Sequence, residues 1–217
     1  LAACGRAPPA PEQKPELDPA IVAALADPIM IDPDLASQNG GNAAITLDTF
    51  DAVPLDDLSP EALDAAKAEA ARLAGGMIRT APEPSEDGAA EVPAITAGQL
   101  AAALPSLPAG CAAGLRYGYG WATTMPAALP IYPRGHVEEA AGSNACGLRS
   151  VVFSTPVDPA TVIDFYFTRA GDGGYSAQRS RRGEADVLSG TKGSAVFLVR
   201  VRRAANGLSE VELATRG

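Results

Sequence analysis

A single histidine, His136, stands two residues before Glu138, three before Glu139 and seven before Ser143. Serine, imidazole and carboxylate are the groups of nucleophilic hydrolysis, in which the imidazole takes the serine proton and the acid orients the ring. The Gly-x-Ser-x-Gly elbow that would present such a serine is missing, and Ser189 before Gly190 does not supply it. His136 is therefore expected in a solvent-exposed loop, no catalytic residue is assigned, and the chain is not read as an enzyme. Asp32 and Asp34 are split by Pro33 and lack the dense oxygen ligands of a calcium loop, so they read as cap or turn residues. Asp158 and Asp164 lie six apart and do not share a helix face for paired-carboxylate work. Gly190-Thr191-Lys192-Gly193 lacks the Walker spacing and a following helix, which makes it a strand-joining turn. Neither metal nor cofactor is expected.

Aromatic side chains offer a second kind of chemistry. Tyr117, Tyr119, Trp121 and Tyr132 fall within 16 positions of a chain in which only 5% of residues are aromatic. Such rings stack on sugars in glycan binders. The competing reading places Trp121 and Tyr132 in the core and leaves the alternate tyrosines to edge a sheet. Alternation of large and small residues from Leu115 to Trp121 predicts a strand with Tyr117, Tyr119 and Trp121 on one face.

The first four residues, Leu1-Ala2-Ala3-Cys4, resemble the lipobox of bacterial lipoproteins. In that family a signal peptide is cut before the cysteine, whose thiol carries a diacylglycerol. The resemblance implies lipidation at Cys4, a periplasmic location and, because Gly5 rather than aspartate follows, the outer membrane. Gly5 to Pro19 holds five prolines and little apolar surface, as a tether would. A buried N-terminal cysteine is the alternative. With Cys4 lipidated, Cys111 and Cys146 remain as a pair that an exported chain can oxidise, two free thiols being the alternative. With one histidine and no CxxC, a zinc site is implausible.

Charge divides the chain. Residues 1–110 carry 17 acidic and 5 basic side chains, a net of −12, whereas residues 111–217 carry 9 and 12, a net of +3. The acidic half lowers affinity for nucleic acid, and no nucleic-acid partner is expected. Arg179, Arg181 and Arg182 beside Gly183 read as a solvated hairpin turn. No run approaches the ~20 apolar residues of a membrane span.

The elements that must position these groups are mostly in the second half. A short helical patch lies near Ile21 to Leu25, and Asp27 to Asn42 is broken by prolines and polar turns. Ser59-Pro60-Glu61 opens a helix running to Leu73-Ala74 and stopped by Gly75-Gly76, with alanines on its apolar face, so it reads as a surface or partner-seeking helix. Residues 80–94, rich in proline and acid, read as a linker. Thr96 to Leu104 is a short helix. Leu148 to Ser154 is a strand, and Asp158-Pro159 starts a helix with Val162, Phe165 and Tyr166 on one face and Gly171 at its end. Tyr175 to Ser180, Asp186 to Ser189, Ala195 to Arg202 and Leu208 to Ala214 read as strands, with Asn206-Gly207 a favoured hairpin turn. The expected fold is α+β, an antiparallel sheet of four to six strands with one main helix, after an irregular and helical N-terminal half. The organisation is 1–19 tether, 20–79 acidic alanine-rich segment, 80–94 linker, 95–217 α+β domain.

Leu129-Pro130-Ile131-Tyr132-Pro133, Thr155-Pro156-Val157-Asp158 before Asp164-Phe165-Tyr166, and Gly174-Tyr175 with a closing pair of strands make the C-terminal half resemble a periplasmic domain of alphaproteobacterial lipoproteins. That resemblance implies compartment and fold and carries no catalytic residues. The functional expectation is a lipid-anchored envelope protein on the periplasmic face of the outer membrane. It would act as a non-enzymatic binding or assembly module whose N-terminal half docks on an envelope partner. The alternative is a small-ligand or glycan-binding domain using Tyr117, Tyr119 and Trp121, with Tyr132 a further ligand candidate.

Overall fold

Ser59 caps the first described helix, its side-chain oxygen accepting from the Ala62 N–H at 3.2 Å, and Pro60 occupies the first turn where no donor is needed. The computed structural model of the chain describes residues 59–86, 96–104, 107–108, 110–111 and 113–217. Helix α1 (Pro60–Leu73) ends in a Schellman motif: Gly75 and Gly76 have φ of 76° and 97°, and the Gly76 N–H donates to the Ala71 carbonyl at 2.8 Å. The expected partner-seeking face is turned inward. Ala66 and Ala70 are fully buried in the same cluster as the helix and sheet residues that follow, because alanine lets a backbone approach closely.

Beyond α1 the chain runs along a second helix, α3 (Pro159–Asp172). The Arg79 N–H donates to Thr168 Oγ1 and the Ala81 N–H to Asp164 Oδ1, each at 2.8 Å. Residues 85–86 then form a two-residue strand β1 (Ser85–Glu86), parallel to Ser180–Arg181. These residues fall in the segment read as a linker; residues 87–94 of it lie outside the described residues. Asp158 caps α3, accepting from the Thr161 N–H at 2.9 Å and its hydroxyl at 2.7 Å. Gly174 (φ 82°) closes the helix with the Tyr175 N–H on the Ala170 carbonyl at 2.9 Å. Gly171, expected to end this helix, lies inside it. A Cβ there would meet Arg79 Nη2 at 2.8 Å, so its smallness serves the crossing of Arg79.

The remaining elements are helix α2 (Ala97–Ala102), strand β2 (Arg116–Tyr117), a 3-10 helix (Tyr119–Thr124), and strands β3 (His136–Ser143), β4 (Leu148–Thr155), β5 (Ser176–Arg182), β6 (Ala185–Lys192), β7 (Ala195–Arg203) and β8 (Ser209–Arg216). They build one sheet in the order β1-β5-β6-β7-β8-β4-β3-β2, antiparallel except for the β1–β5 pair. The α+β class stands, but the sheet is mixed and has eight strands where four to six antiparallel ones were expected. Six long strands form its body, and β1 and β2 are two-residue pieces that cover parts of its edges. Gly183 (φ 58°) and Gly193 (φ 59°) make the two-residue turns joining β5 to β6 and β6 to β7.

Strand β3 was expected as a loop around His136. Its sequence hides it: Glu138 and Glu139 are adjacent, a register shift falls between Val137 and Glu139, and the buried half is Ala140, Ala141, Gly142 and Ser143. None of those small residues carries a strand-like apolar alternation.

The sheet is covered on both faces. Phe197, Val199, Val201, Val211 and Leu213 pack with Val162, Ile163, Phe165 and Tyr166 of α3. Val196, Leu198 and Ala214, pointing the other way, pack with Leu100, Ala101 and Leu104 at α2. On that α2 side Arg200 meets its cross-strand neighbour Glu212 at 2.9 Å, with both side chains buried.

Candidate binding surface

Strand β3 carries His136 and Ser143 at its two ends, seven residues and so about 23 Å apart. No hydrogen bond can join them. Glu139 is committed elsewhere: its carboxylate accepts the Ala97 N–H at 2.8 Å, where it also meets the positive end of α2. Helix α2 completes its own start with a capping box between Thr96 and Gln99. The triad that spacing suggested is thus dispersed along one strand. Among the described residues no group of three or more His, Cys, Asp or Glu is gathered as a metal site would require. Asp32, Asp34 and the proposed lipidation residue Cys4 lie outside the described residues.

The aromatic residues come together at the β2 edge, though not on one face. Only Arg116 and Tyr117 are in a strand; after Gly118 the chain winds into the 3-10 helix, and alternation stops. Tyr117 pairs with Ala141 on the α2 side, its hydroxyl end over Gly98 of α2, where a Cβ would lie 2.2 Å from the phenol oxygen. Trp121 lies on the opposite side against Gly142, whose missing Cβ would be 2.6 Å from the indole Cδ2. Tyr119 sits between them at the edge, its hydroxyl donating to the Glu138 carbonyl at 3.2 Å. Tyr117 and Tyr119 are 59% and 67% exposed, whereas Trp121 is half-buried against the core. A shallow concavity of about 290 Å³ lies between the tyrosines and Glu138, Glu139 and Ala140.

Tyr132 does not belong to this surface. It is fully buried, edge-on to Phe165 with ring centroids 5.0 Å apart, and is a core residue rather than a ligand contact. Burial, with the nearby Asp158 charge, pushes its phenol well above the ordinary range. The Tyr166 phenol is likewise raised by burial, and donates to the Pro130 carbonyl at 2.8 Å. Both rings therefore stay neutral.

Around the corner from the tyrosines, a residue without any sequence signal organises the surface. The Arg149 guanidinium stacks 4.7 Å from the centre of the Trp121 ring. It donates to Thr124 Oγ1 at 2.9 Å, Asn144 Oδ1 at 2.8 Å and the Leu148 carbonyl at 2.9 Å. Gly142 and Arg149 are cross-strand partners, so the indole rests on the glycine beside the arginine. A concavity of about 320 Å³ lined by Gly118, Gly120, Trp121, Thr124 and Asn144 shares Gly118 with the tyrosine corner and Thr124 with a cavity of about 370 Å³. That cavity holds Arg149 and Lys192 together with Thr124, Tyr175 and Thr215. Gly142 stands buried in mid-strand because another group approaches its backbone closely, which is evident only once β3 is known to be a strand.

Cys111 and Cys146 are joined by a disulfide, with Cα atoms 5.9 Å apart, across 35 residues. The bond ties the chain before β2 to the β3–β4 turn that carries Asn144, and so braces the surface from below. The arginines expected in a solvated turn lie on β5: Arg179 and Arg181 both reach Asp186 at 3.2 Å, and Arg179 also donates to the Pro82 carbonyl. Among the described residues no helix is long and apolar enough to cross a membrane. Comparison of the chain with protein-family profiles, with curated proteins and with solved structures finds no match.

Proposed function

We propose that this protein is an exported, lipid-anchored binding module without catalytic activity, and that it binds glycan at the β2 corner. The observation that carries the reading is the exposure of Tyr117 and Tyr119 beside a concavity edged by Glu138. Aromatic faces take the C–H face of a sugar, and an exposed carboxylate accepts its hydroxyls; large exposed rings are otherwise costly to keep in water. The assembly reading is less favoured, since the apolar stripe of α1 is spent on the protein's own core. Dispersal of His136, Glu139 and Ser143 supports a binder over a hydrolase. The Leu1-Ala2-Ala3-Cys4 tetrapeptide and the Cys111–Cys146 bond, which needs an oxidising compartment, support export to the periplasmic face of the outer membrane.

Titration with cell-wall oligosaccharides by calorimetry tests the function. Tyr117→Ala and Tyr119→Ala are expected to weaken binding by about 5- to 30-fold each, as aromatic anchors do. Binding that is absent, or indifferent to both substitutions, would overturn it. The anchor is read separately, by the mass of Cys4 in protein from the native host, where an unmodified thiol would remove the lipid.

A further inference from the structure

The cavity at Arg149 and Lys192 is a second site, and we infer that it binds an oxyanion, the carboxylate or phosphate of a small molecule. It lies on the α3 face of the sheet, past the C-terminal end of that helix. Arg149, Thr215, Ala195 and Lys192 all point to this face, because Arg149 pairs with Thr215 and Lys192 with Ala195.

Both cations are held by neutral acceptors. Arg149 is fixed by Thr124, Asn144 and the carbonyls of Ser143 and Leu148, and braced by Trp121. Lys192 donates to the Gly173 carbonyl at 2.7 Å and lies 5.9 Å from the centre of the Tyr175 ring. Neither forms an ion pair with a carboxylate among the described residues, unlike Arg79, Arg179, Arg181, Arg200 and Arg202. Gly217, on the cavity wall, is tied back through its N–H to the Gly147 carbonyl at 3.3 Å.

The contrast carries the inference. Lys192 meets the partial negative charge of the α3 terminus, so Arg149 holds the larger uncompensated charge. Its guanidinium is pre-oriented with one N–H left over, and Lys192 keeps two. The spare N–H of Arg149 and those of Lys192, beside the Thr215 hydroxyl, match an oxyanion, which strengthens such bonds by its charge, while the Thr124 hydroxyl is spent on the Trp121 carbonyl and serves only to hold Arg149. A cavity of about 370 Å³ admits a group the size of a sugar acid. The site stands without the glycan reading. If both hold, the concavity between them makes an acidic glycan their common ligand.

The test is calorimetric or NMR titration of the full chain at low salt with sodium phosphate, sodium glucuronate and glucose. Saturable one-to-one binding of phosphate or glucuronate is expected, and the better of the two names the source. Glucose should not bind here. Lys192→Gln, at an exposed position, should weaken the anion about 3- to 10-fold, and Arg149→Gln by about 10-fold or more, with Arg149→Lys recovering part of the loss. Should Arg149→Gln unfold the protein, Lys192→Gln alone decides. Absence of saturable anion binding, or affinity unchanged in Lys192→Gln and in any folded Arg149→Gln, overturns the site. Neither result bears on Tyr117 and Tyr119, whose failure is read with neutral oligosaccharides.

Discussion

Gly142→Ala should dislodge Trp121 from between the two parts of the proposed surface without replacing any residue proposed to bind ligand. A Cβ at position 142 would sit 2.6 and 2.7 Å from Cδ2 and Cε3 of Trp121 and 2.8 Å from the Leu148 carbonyl oxygen. Carbon atoms rest about 3.5–4.0 Å apart, so the ring must withdraw by roughly 1 Å. The carbonyl belongs to the β3–β4 pair and cannot follow. Overpacking of this size costs about 1–3 kcal/mol. Displacing the indole from Arg149 removes a half-exposed cation–π contact of about 0.5–1 kcal/mol. Against this, replacing glycine restricts the unfolded chain and returns about 0.4–1 kcal/mol. The net expectation is a loss of about 1–3 kcal/mol. Trp121 is the chain's only tryptophan, so its fluorescence reports this one contact. Gly142→Ala should shift emission to the red and lower the urea midpoint at unchanged slope. Gly120→Ala, beside Trp121 in the 3-10 helix, is the control: nothing lies within 4 Å of its Cβ, and it should stay within about 0.5 kcal/mol of the parent. A Gly142→Ala protein with parental emission and stability would refute the packing argument.

Two other perturbations have signs set by the structure. Replacing Cys111 and Cys146 by serine frees a 35-residue loop and should cost about 4 kcal/mol on the chain-entropy account, measured by urea unfolding; a loss under about 1 kcal/mol would contradict it. At Asp158 burial opposes ionisation, but the Thr161 N–H and hydroxyl and the Lys67 charge outweigh it and hold the carboxyl below its ordinary range. A carboxyl depressed in the folded state stabilises above its unfolded pKa of about 3.9, and that share is lost as pH falls through the lower folded value. Asp158→Asn keeps the cap to the Thr161 N–H but loses the charge at the helix start and the oxygen that accepts the Thr161 hydroxyl, and should therefore cost about 0.5–1 kcal/mol at neutral pH. It should also flatten the acid limb of the stability profile below about pH 4, and an unchanged limb would disprove the assignment.

Much of this architecture could be read from local chemistry. Caps at Ser59, Thr96 and Asp158 set helix starts because a short polar side chain satisfies orphan N–H groups whatever packs nearby. Strands β4, β6, β7 and β8 showed themselves through β-branched residues, and β5, which has none, through the glycines at either end. Where reading failed, a local pattern gave way to a distant partner. Strand β3 is built of small residues because Trp121 and α2 lie on it, and the Leu115–Trp121 alternation is cut short at Gly118. Gly171 looked like a helix stop and is a crossing point for Arg79.

By itself the sequence determined the class of fold, the helix starts, the glycine turns between the late strands and the pair of cysteines able to bond. Each of these depends on residues near in the chain or on simple counting. Only the tertiary structure decided that Tyr132 is core while Tyr117 and Tyr119 face solvent, that the serine and histidine stand at opposite ends of a strand, and that Arg149 rests on Trp121. Those outcomes depend on which strands become neighbours and in what register, and pairing one residue along exchanges the two faces of a sheet. The proposed binding surface, drawn from the β2 edge, the β3–β4 turn and the end of β6, exists only once that register is set.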